Sequence, residues 1–348
     1  MIWLTWRQFR IQALTAAAVL AAFAILLAAT GPHLASLYAT SKISGCHGFA
    51  CTTPVNTFLN ELAGPYPVVY LLGIGLILIA PAVIGIFWGA PLIAREFETR
   101  TFNLAWTQST SRTRWLAVKL TLTGLAAMAV TEALSLIYAW WAKPISEAIR
   151  LGIKDGGLPK LFSQGQYSSV IFASHGITPL GYAAFAFALG TAAGALTRRA
   201  LPAMAITLAI FAAAQLAMPL WVRPHLVPPS HTIAAIDAAD LAFGTLTADA
   251  VPGQAGAWIL SSQARNPAGQ PVGTIPAACN NANLTGQKGG ATAITPAQCM
   301  QSRGYREAIT YLPTSRYWPL EWIETGIFLA LALALAGFCF WRLGRRRT

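Results

Sequence analysis

Six long apolar runs, separated by polar stretches of very unequal length, set the pattern of this 348-residue chain. They lie at Ala13–Pro32, Pro67–Ile93, Leu116–Trp141, Pro179–Thr197, Ala200–Val222 and Leu320–Trp341. Each is long enough to cross a hydrocarbon core about 30 Å thick, which takes about 20 helical residues. Only helices and closed barrels satisfy their own backbone groups in lipid, and unbroken apolar runs predict helices. The expected fold is an all-α integral membrane protein with six transmembrane helices. Arg7 and Arg10 ahead of the first run give it the look of a secretory signal, but Gly31-Pro32-His33 is not a small-x-small cleavage site. It reads as a retained helix.

The polar stretches carry their own local signals. In residues 1–12, Ile2, Trp3, Trp6 and Phe9 fall near helical spacing with Arg7 and Arg10 between them, the pattern of an N-terminal amphipathic helix lying in the membrane interface. An aromatic-and-basic anchor fits the same residues. In the 33–66 loop, Thr53-Pro54 opens a short helix that Gly64-Pro65 stops. The 142–178 loop carries Gly156-Gly157 and no chemical signature, and 223–318 is rich in Gly and Pro, the composition of a loop-rich cap. Within it, Thr295-Pro296-Ala297-Gln298 is a capping box that opens a helix through Tyr305. Residues 13–222 then hold spans one to five, and 319–348 hold the sixth span and a basic tail. Pro81 predicts a kink in the second span, beside Gly73, Gly75 and Gly85. Gly85-x-x-x-Gly89 and Gly190-x-x-x-Gly194 are spacings that let helices approach closely, though common in Gly- and Ala-rich spans.

Composition changes the picture in two ways. Only 10% of residues are charged while 55% are hydrophobic, against about 25% charged in soluble domains. The net charge of +12 raises nucleic acid as a partner, until its location is mapped. With the N-terminus in the cytoplasm, the inner segments hold Arg7, Arg10, Arg95, Arg100, Arg112, Arg114, Lys119, Arg198, Arg199, Arg342, Arg345, Arg346 and Arg347 against two acids. The much longer outer segments, with Glu321 and Glu324 at the edge of the last run counted among them, hold the other eleven bases against nine acids. That asymmetry follows the positive-inside rule and predicts a multi-pass protein of the plasma (inner) membrane with both termini cytoplasmic. The basic charge reports topology and membrane lipid, not nucleic acid.

Four of the five cysteines fall on the side where disulfides persist: Cys46 and Cys51 in the first outer loop, Cys279 and Cys299 in the last. Disulfide-stapled extracellular loops, with pairs Cys46–Cys51 and Cys279–Cys299, are the expectation. Four unpaired thiols are the alternative, and Cys46-His47 with Cys51 lacks the fourth ligand of a metal clip. No metal site is expected.

The chemistry of catalysis finds no foothold. There is no His-Glu-x-x-His, and all five histidines lie at or beyond the outer face. His225 and His231 share a loop with Asp237 and Asp240, the composition of solvated loop residues more than of a metal cluster. Glu132 stands out as the ionisable residue deep in a span, with no second acid read in another span to make a proton relay. An interhelical hydrogen bond, a cavity-lining role and a proton pathway remain open for it. No Gly-x-x-x-x-Gly-Lys-[Ser/Thr] loop occurs, so any ATP hydrolysis belongs to another chain and no cofactor is expected on this one.

One stretch departs from its greasy surroundings. Pro91 to Leu120, "PLIAREFETRTFNLAWTQSTSRTRWLAVKL", packs Arg95, Glu96, Glu98, Arg100, Arg112, Arg114 and Lys119 into thirty residues between two spans. Helix-favouring residues run from Leu92 to about Trp106, followed by a polar turn at 107–111. Arginines here serve as topology anchors, but Glu96 and Glu98 add little to that signal. The stretch resembles the loop after the second span of type-2 ABC transporter permeases, of the actinobacterial six-span kind. Glu96, Glu98, Thr101, Ser111-Arg112 and Lys119 occupy the places of that family's motif, and Arg100 stands where the family usually has glycine. The resemblance implies a transmembrane permease subunit of an ATP-driven exporter. Two such subunits, identical or paralogous, would form the pathway, each resting on a separate ABC ATPase that carries ATP and Mg (two copies in all). The 94–115 loop would couple to it through Arg95, Glu96, Glu98, Arg100, Thr101, Arg112 and Arg114, the acids meeting partner arginines. The competing readings are a membrane sensor or assembly protein that binds a ligand or partner through its outer loops, and a secondary transporter.

Overall fold

The computed structural model describes residues 2–43, 52–62, 66–99, 111–150, 169–236, 246, 248, 251–254, 257–280 and 295–344. Among the described residues, six helical spans long and apolar enough to cross a membrane occupy Phe9–Thr40, Tyr66–Glu98, Thr113–Ala148, Thr178–Thr197, Ala200–Leu226 and Thr314–Arg342. In chain order the helices are α1 (Ile2–Thr40), α2 (Thr52–Glu61), α3 (Tyr66–Ile84), α4 (Ala90–Glu98), α5 (Arg112–Arg150), α6 (Ser169–Ser174), α7 (Thr178–Thr197), α8 (Ala200–Ala217), α9 (Arg223–Leu226), α10 (Ala277–Asn280), α11 (Pro296–Ser302) and α12 (Tyr317–Gly344). Two π-helical turns, Gly85–Gly89 and Met218–Val222, join α3 to α4 and α8 to α9.

α7 is the centre of the bundle. From Thr178 to Ala195 every residue but Leu180 is buried, as expected of a helix that is apolar on all sides. Its Ala- and Gly-rich sequence has little side-chain bulk, so α3, α4, α5, α8 and α12 all pack against it. The spacing of its glycines decides the closest crossing. A Cβ on Gly190 would lie 2.7 Å from the Ala90 amide nitrogen, and one on Gly194 2.5 Å from the Ala90 carbonyl oxygen. The two Gly-x-x-x-Gly pairs of the sequence thus meet each other, backbone to backbone.

One apolar cluster joins Phe9, Trp88, Ile93, Trp115, Leu116 and Cys339. It brings the two chain ends, α4 and the start of α5 to the same end of the bundle, called the terminal face below. A second cluster lies at the other end, where Leu34, Val55, Phe58, Tyr66, Tyr70, Tyr138, Trp141 and Ile145 pack together.

Several boundaries differ from those read in the sequence. The N-terminal stretch is helical but runs without a break into the first span, where the expectation was a separate interfacial segment. The same helix passes Pro32 and ends at Thr40, because Leu34 and Leu37 still have the cluster of α2 and α3 to pack on. Likewise α5 continues to Arg150, through residues expected to begin the 142–178 loop. Lys143 and Glu147 mark the loss of apolar character there, but Ala142, Ile145 and Ala148 keep one face buried. Pro81 lies inside α3, and the irregularity in this span is the π-turn that begins four residues later at Gly85.

The described residues of the 223–318 segment hold more regular structure than its composition suggests. They include a three-stranded antiparallel sheet in the order β1-β3-β2: Ser230–Ala235, Arg306–Leu312 and Trp258–Arg265, with β2 preceding β3 in sequence. This end is called the sheet side. The strands escaped the sequence reading because each is short and its partner lies far along the chain. The capping box at Thr295 and Gln298 forms, and its helix, α11, ends at Ser302 rather than Tyr305. Cys279 and Cys299 form the expected disulfide, which joins α10 to α11. Cys46, Cys51, Asp237, Asp240 and the basic tail at 345–348 lie outside the described residues.

Candidate coupling site

The segment between spans two and three starts from the π-turn. A π-turn widens the helix and disturbs the regular backbone ladder. Gln12 of the first span uses that irregularity, its amide Nε2 donating to the Phe87 carbonyl at 3.0 Å. From Ala90 the chain returns to α-helical form with Pro91 in the first turn, where its missing N–H costs nothing. α4 is amphipathic: Ala90, Pro91, Ile93 and Ala94 are buried, while Arg95, Glu98 and the following Thr99 are exposed. The buried face lies on α7 and α8, where Ala90 meets Ala193 and Ala203.

The two acids of α4 then find partners within the chain. Glu96 forms an ion pair with Lys119 of α5, whose ammonium also sits 4.9 Å from the centre of the Trp115 ring. Lys119 is almost fully buried and Glu96 mostly so. Breaking such a pair from one side leaves an uncompensated charge in a poor solvent. Glu98 reaches the other way, its Oε1 accepting from the Ala200 N–H of α8 at 2.9 Å. That amide is one of the orphan donors at a helix start. Arg199, at the N-cap position of α8, provides no side-chain cap. Glu98 therefore caps α8 from another helix, with its negative charge at the positive end of the helix dipole. Just before it, Arg198 takes a left-handed backbone (φ 55°), and its guanidinium lies 5.6 Å from the Phe97 ring centre.

The remaining candidates of this stretch are placed as follows. The side chains of Arg95 and Arg114 are exposed, and Arg112 opens α5. Arg100 and Thr101 lie outside the described residues, as do residues 102–110. Sequence reasoning grouped Glu96 and Glu98 with the arginines as residues coupling to an ATPase. The structure gives both acids a partner within this chain, with Glu98 still exposed, and leaves Arg95 and Arg114 exposed.

A second polar centre lies toward the sheet side. Arg223 donates from Nε to Glu324 Oε2 at 2.9 Å and from Nη2 to Glu324 Oε1 at 3.0 Å. The Tyr182 hydroxyl donates to the same Oε1. The guanidinium rests 4.3 Å from the Phe172 ring centre, and Arg223 and Glu324 are both fully buried. One turn earlier in α12, the buried Glu321 accepts the Ile177 N–H at 3.1 Å. Gly176 allows this approach, because its positive φ of 63° and the carboxylate crowding its α-carbon both exclude a side chain. Ser135 donates to the Gly176 carbonyl at 3.2 Å, one turn along α5 from the half-buried Glu132. Glu321 and Glu324 correct the view that Glu132 has no fellow acid in another span. They sit in the first two turns of the last helix, and their nearness to the run's edge disguised them as outer residues. Arg223, counted as an outer base, is likewise buried in the bundle. The only sequence signal was the bare presence of three charges at the margins of apolar runs. His225 and His231 make separate contacts, with the Trp221 carbonyl and Thr310, and no group of three metal-ligating side chains occurs among the described residues.

The family described as "ABC-2 membrane transporter related" matches residues 17–223, more than half of the chain. The chain belongs to that family. The match runs from the first span through α4 and the fifth span to Arg223, so it contains the whole segment between spans two and three. The sheet segment and the last span follow it. No curated protein and no solved structure matches the chain. This ABC-2 family member is therefore a multi-pass membrane protein of the ABC permease kind, a transport subunit and not itself the catalyst.

Proposed function

We propose that this ABC-2 family protein is the transmembrane permease subunit of an ATP-driven exporter in the plasma membrane. Two copies, or one copy and a paralogue, form the pathway. Two separate ABC ATPase subunits bind ATP and Mg, and each drives one permease through the segment around α4. The terminal face is the cytoplasmic one, consistent with the concentration of arginines there. The observation that carries this reading is the placement of α4. A short helix with an exposed basic edge at Arg95 stands at the terminal face with its other side against α7 and α8. Force applied there reaches the bundle through a rigid element.

Purification of the tagged chain from its native membranes in mild detergent tests the proposal. A stoichiometric ABC ATPase should accompany the wild type and be lost from an Arg95→Glu, Arg114→Glu double variant that still folds. Purification of the folded chain without an ATPase would overturn it. The three acids of the sheet-side centre favour a second reading, transport driven by an ion gradient. It requires a gradient dependence of transport that disappears in Glu132→Gln.

A further inference from the structure

We infer that Glu96 and Glu98 are positioning residues that tie α4 to the third and fifth spans, and that neither is a contact with the ATPase. The inference rests on the proposed permease function and divides the coupling segment into two kinds of residue.

Three ties hold α4, each to a different span. Its first turn lies backbone to backbone on α7 at Gly190 and Gly194. In its middle, Glu96 is engaged by the buried Lys119 of α5. Its last residue, Glu98, accepts the Ala200 N–H of α8. A carboxylate whose charge is matched by a buried ammonium has little to offer an arginine on another protein, since meeting one would strand Lys119. Glu98 is exposed and freer, but its engaged oxygen closes a helix end that has no side-chain cap of its own. Leaving Ala200 for a partner would uncap the helix.

The geometry therefore routes displacement of α4 into spans three, four and five together. The glycine contact passes compression, because backbone atoms already touch. The two carboxylates pass tension, because a separation must stretch a hydrogen bond or an ion pair. Arg95 and Arg114 point outward and remain for the ATPase.

Hydrogen exchange of the purified ATPase complex in lipid nanodiscs, with and without ATP and vanadate, tests this. In the wild type, trapping should alter protection in α4 and at the start of α8 together. In Glu98→Ala the ATPase should remain bound and α4 should still respond. The first amides of α8 should exchange about fivefold faster, the factor of an ordinary helix cap, and should lose their response to nucleotide. Glu98→Gln keeps an acceptor oxygen and should restore most of both. Glu96→Lys should break the link to α5, and Glu96→Lys combined with Lys119→Glu should recover it. Loss of the ATPase from Glu98→Ala, or unchanged exchange at the start of α8, would overturn the inference. A wild-type chain that brings down no ATPase would instead sink the permease reading. Nucleotide-independent exchange at α8 would then still report whether Glu98 caps that helix.

Discussion

The two polar centres of this protein differ in how far they are sealed from water. At the sheet side, Arg223, Glu324 and Tyr182 are buried and bound to one another in a bidentate pair plus a hydroxyl. At the terminal face, Glu96 and Lys119 are mostly buried, and the Glu98 bond to Ala200 is open to solvent. The same kinds of group are therefore worth different amounts in the two places. A buried pair broken from one side costs about 3–5 kcal/mol, whereas a solvated charged contact is worth about 1 kcal/mol or less. The sheet-side centre fastens α7, α9 and α12 into one body. Ties at the terminal face weaken outward along α4, which suits the moving element of the proposed coupling.

The sharpest break of this contrast is Glu324→Ala. It strands the Arg223 guanidinium and should lower stability by about 3–5 kcal/mol, measured as a large fall in thermal melting in detergent. Replacing Arg223 and Glu324 together by Met should recover most of the loss, because no buried charge then lacks its partner. Gly190→Ala comes next. The new Cβ would press on the backbone of the π-turn and α4, so α4 and α7 must separate, at about 1–3 kcal/mol. Glu96→Gln keeps an acceptor for Lys119 but removes the opposing charge. Partial exposure softens the loss to about 1–2 kcal/mol, and the same melting assay should rank it below Glu324→Ala. Equal effects would erase the distinction between the two centres.

The smallest effect concerns pH. His175, in the turn between α6 and α7, shares its Nδ1 with the Ile171 carbonyl at 2.8 Å and the Ser174 hydroxyl at 3.0 Å, and faces the Tyr138 ring. Burial holds its imidazole pKa below the usual value, partly offset by the Ile171 contact. The unfolded chain then takes up the proton first as pH falls, so stability is full above the unfolded value of about 6.5 and declines below it. His175→Asn should flatten that acid-side decline in melting temperature and leave the neutral-pH value nearly unchanged. An acid-side slope identical to the wild type would assign the decline to other groups.

Much of the layout was legible because it depends on local quantities. The six spans follow from run length against bilayer thickness, the expected Cys279–Cys299 bridge from same-loop cysteines, and the Thr295 cap from a four-residue pattern. What misled was reading a span's end from the first charge it meets. Lys143 and Glu147 hid the continuation of α5, and Glu321, Glu324 and Arg223 passed for outer residues although all three are buried. A charge at the margin of an apolar run looks the same whether it faces water or another helix.

By itself, the sequence determined that this chain lies in a membrane, where it crosses, and which stretch between spans carries unusual charge. Those properties sum over neighbouring residues and need no knowledge of the rest of the fold. Only the tertiary structure decided that Glu96 belongs to Lys119, that Glu98 caps α8 across 102 positions of sequence, and that Arg223 belongs to Glu324. The physical reason is that pairing depends on how helices are rotated and stacked around α7. That is set by backbone contact at Gly190 and Gly194, where the absence of a side chain, invisible as chemistry, fixes which charges come within reach.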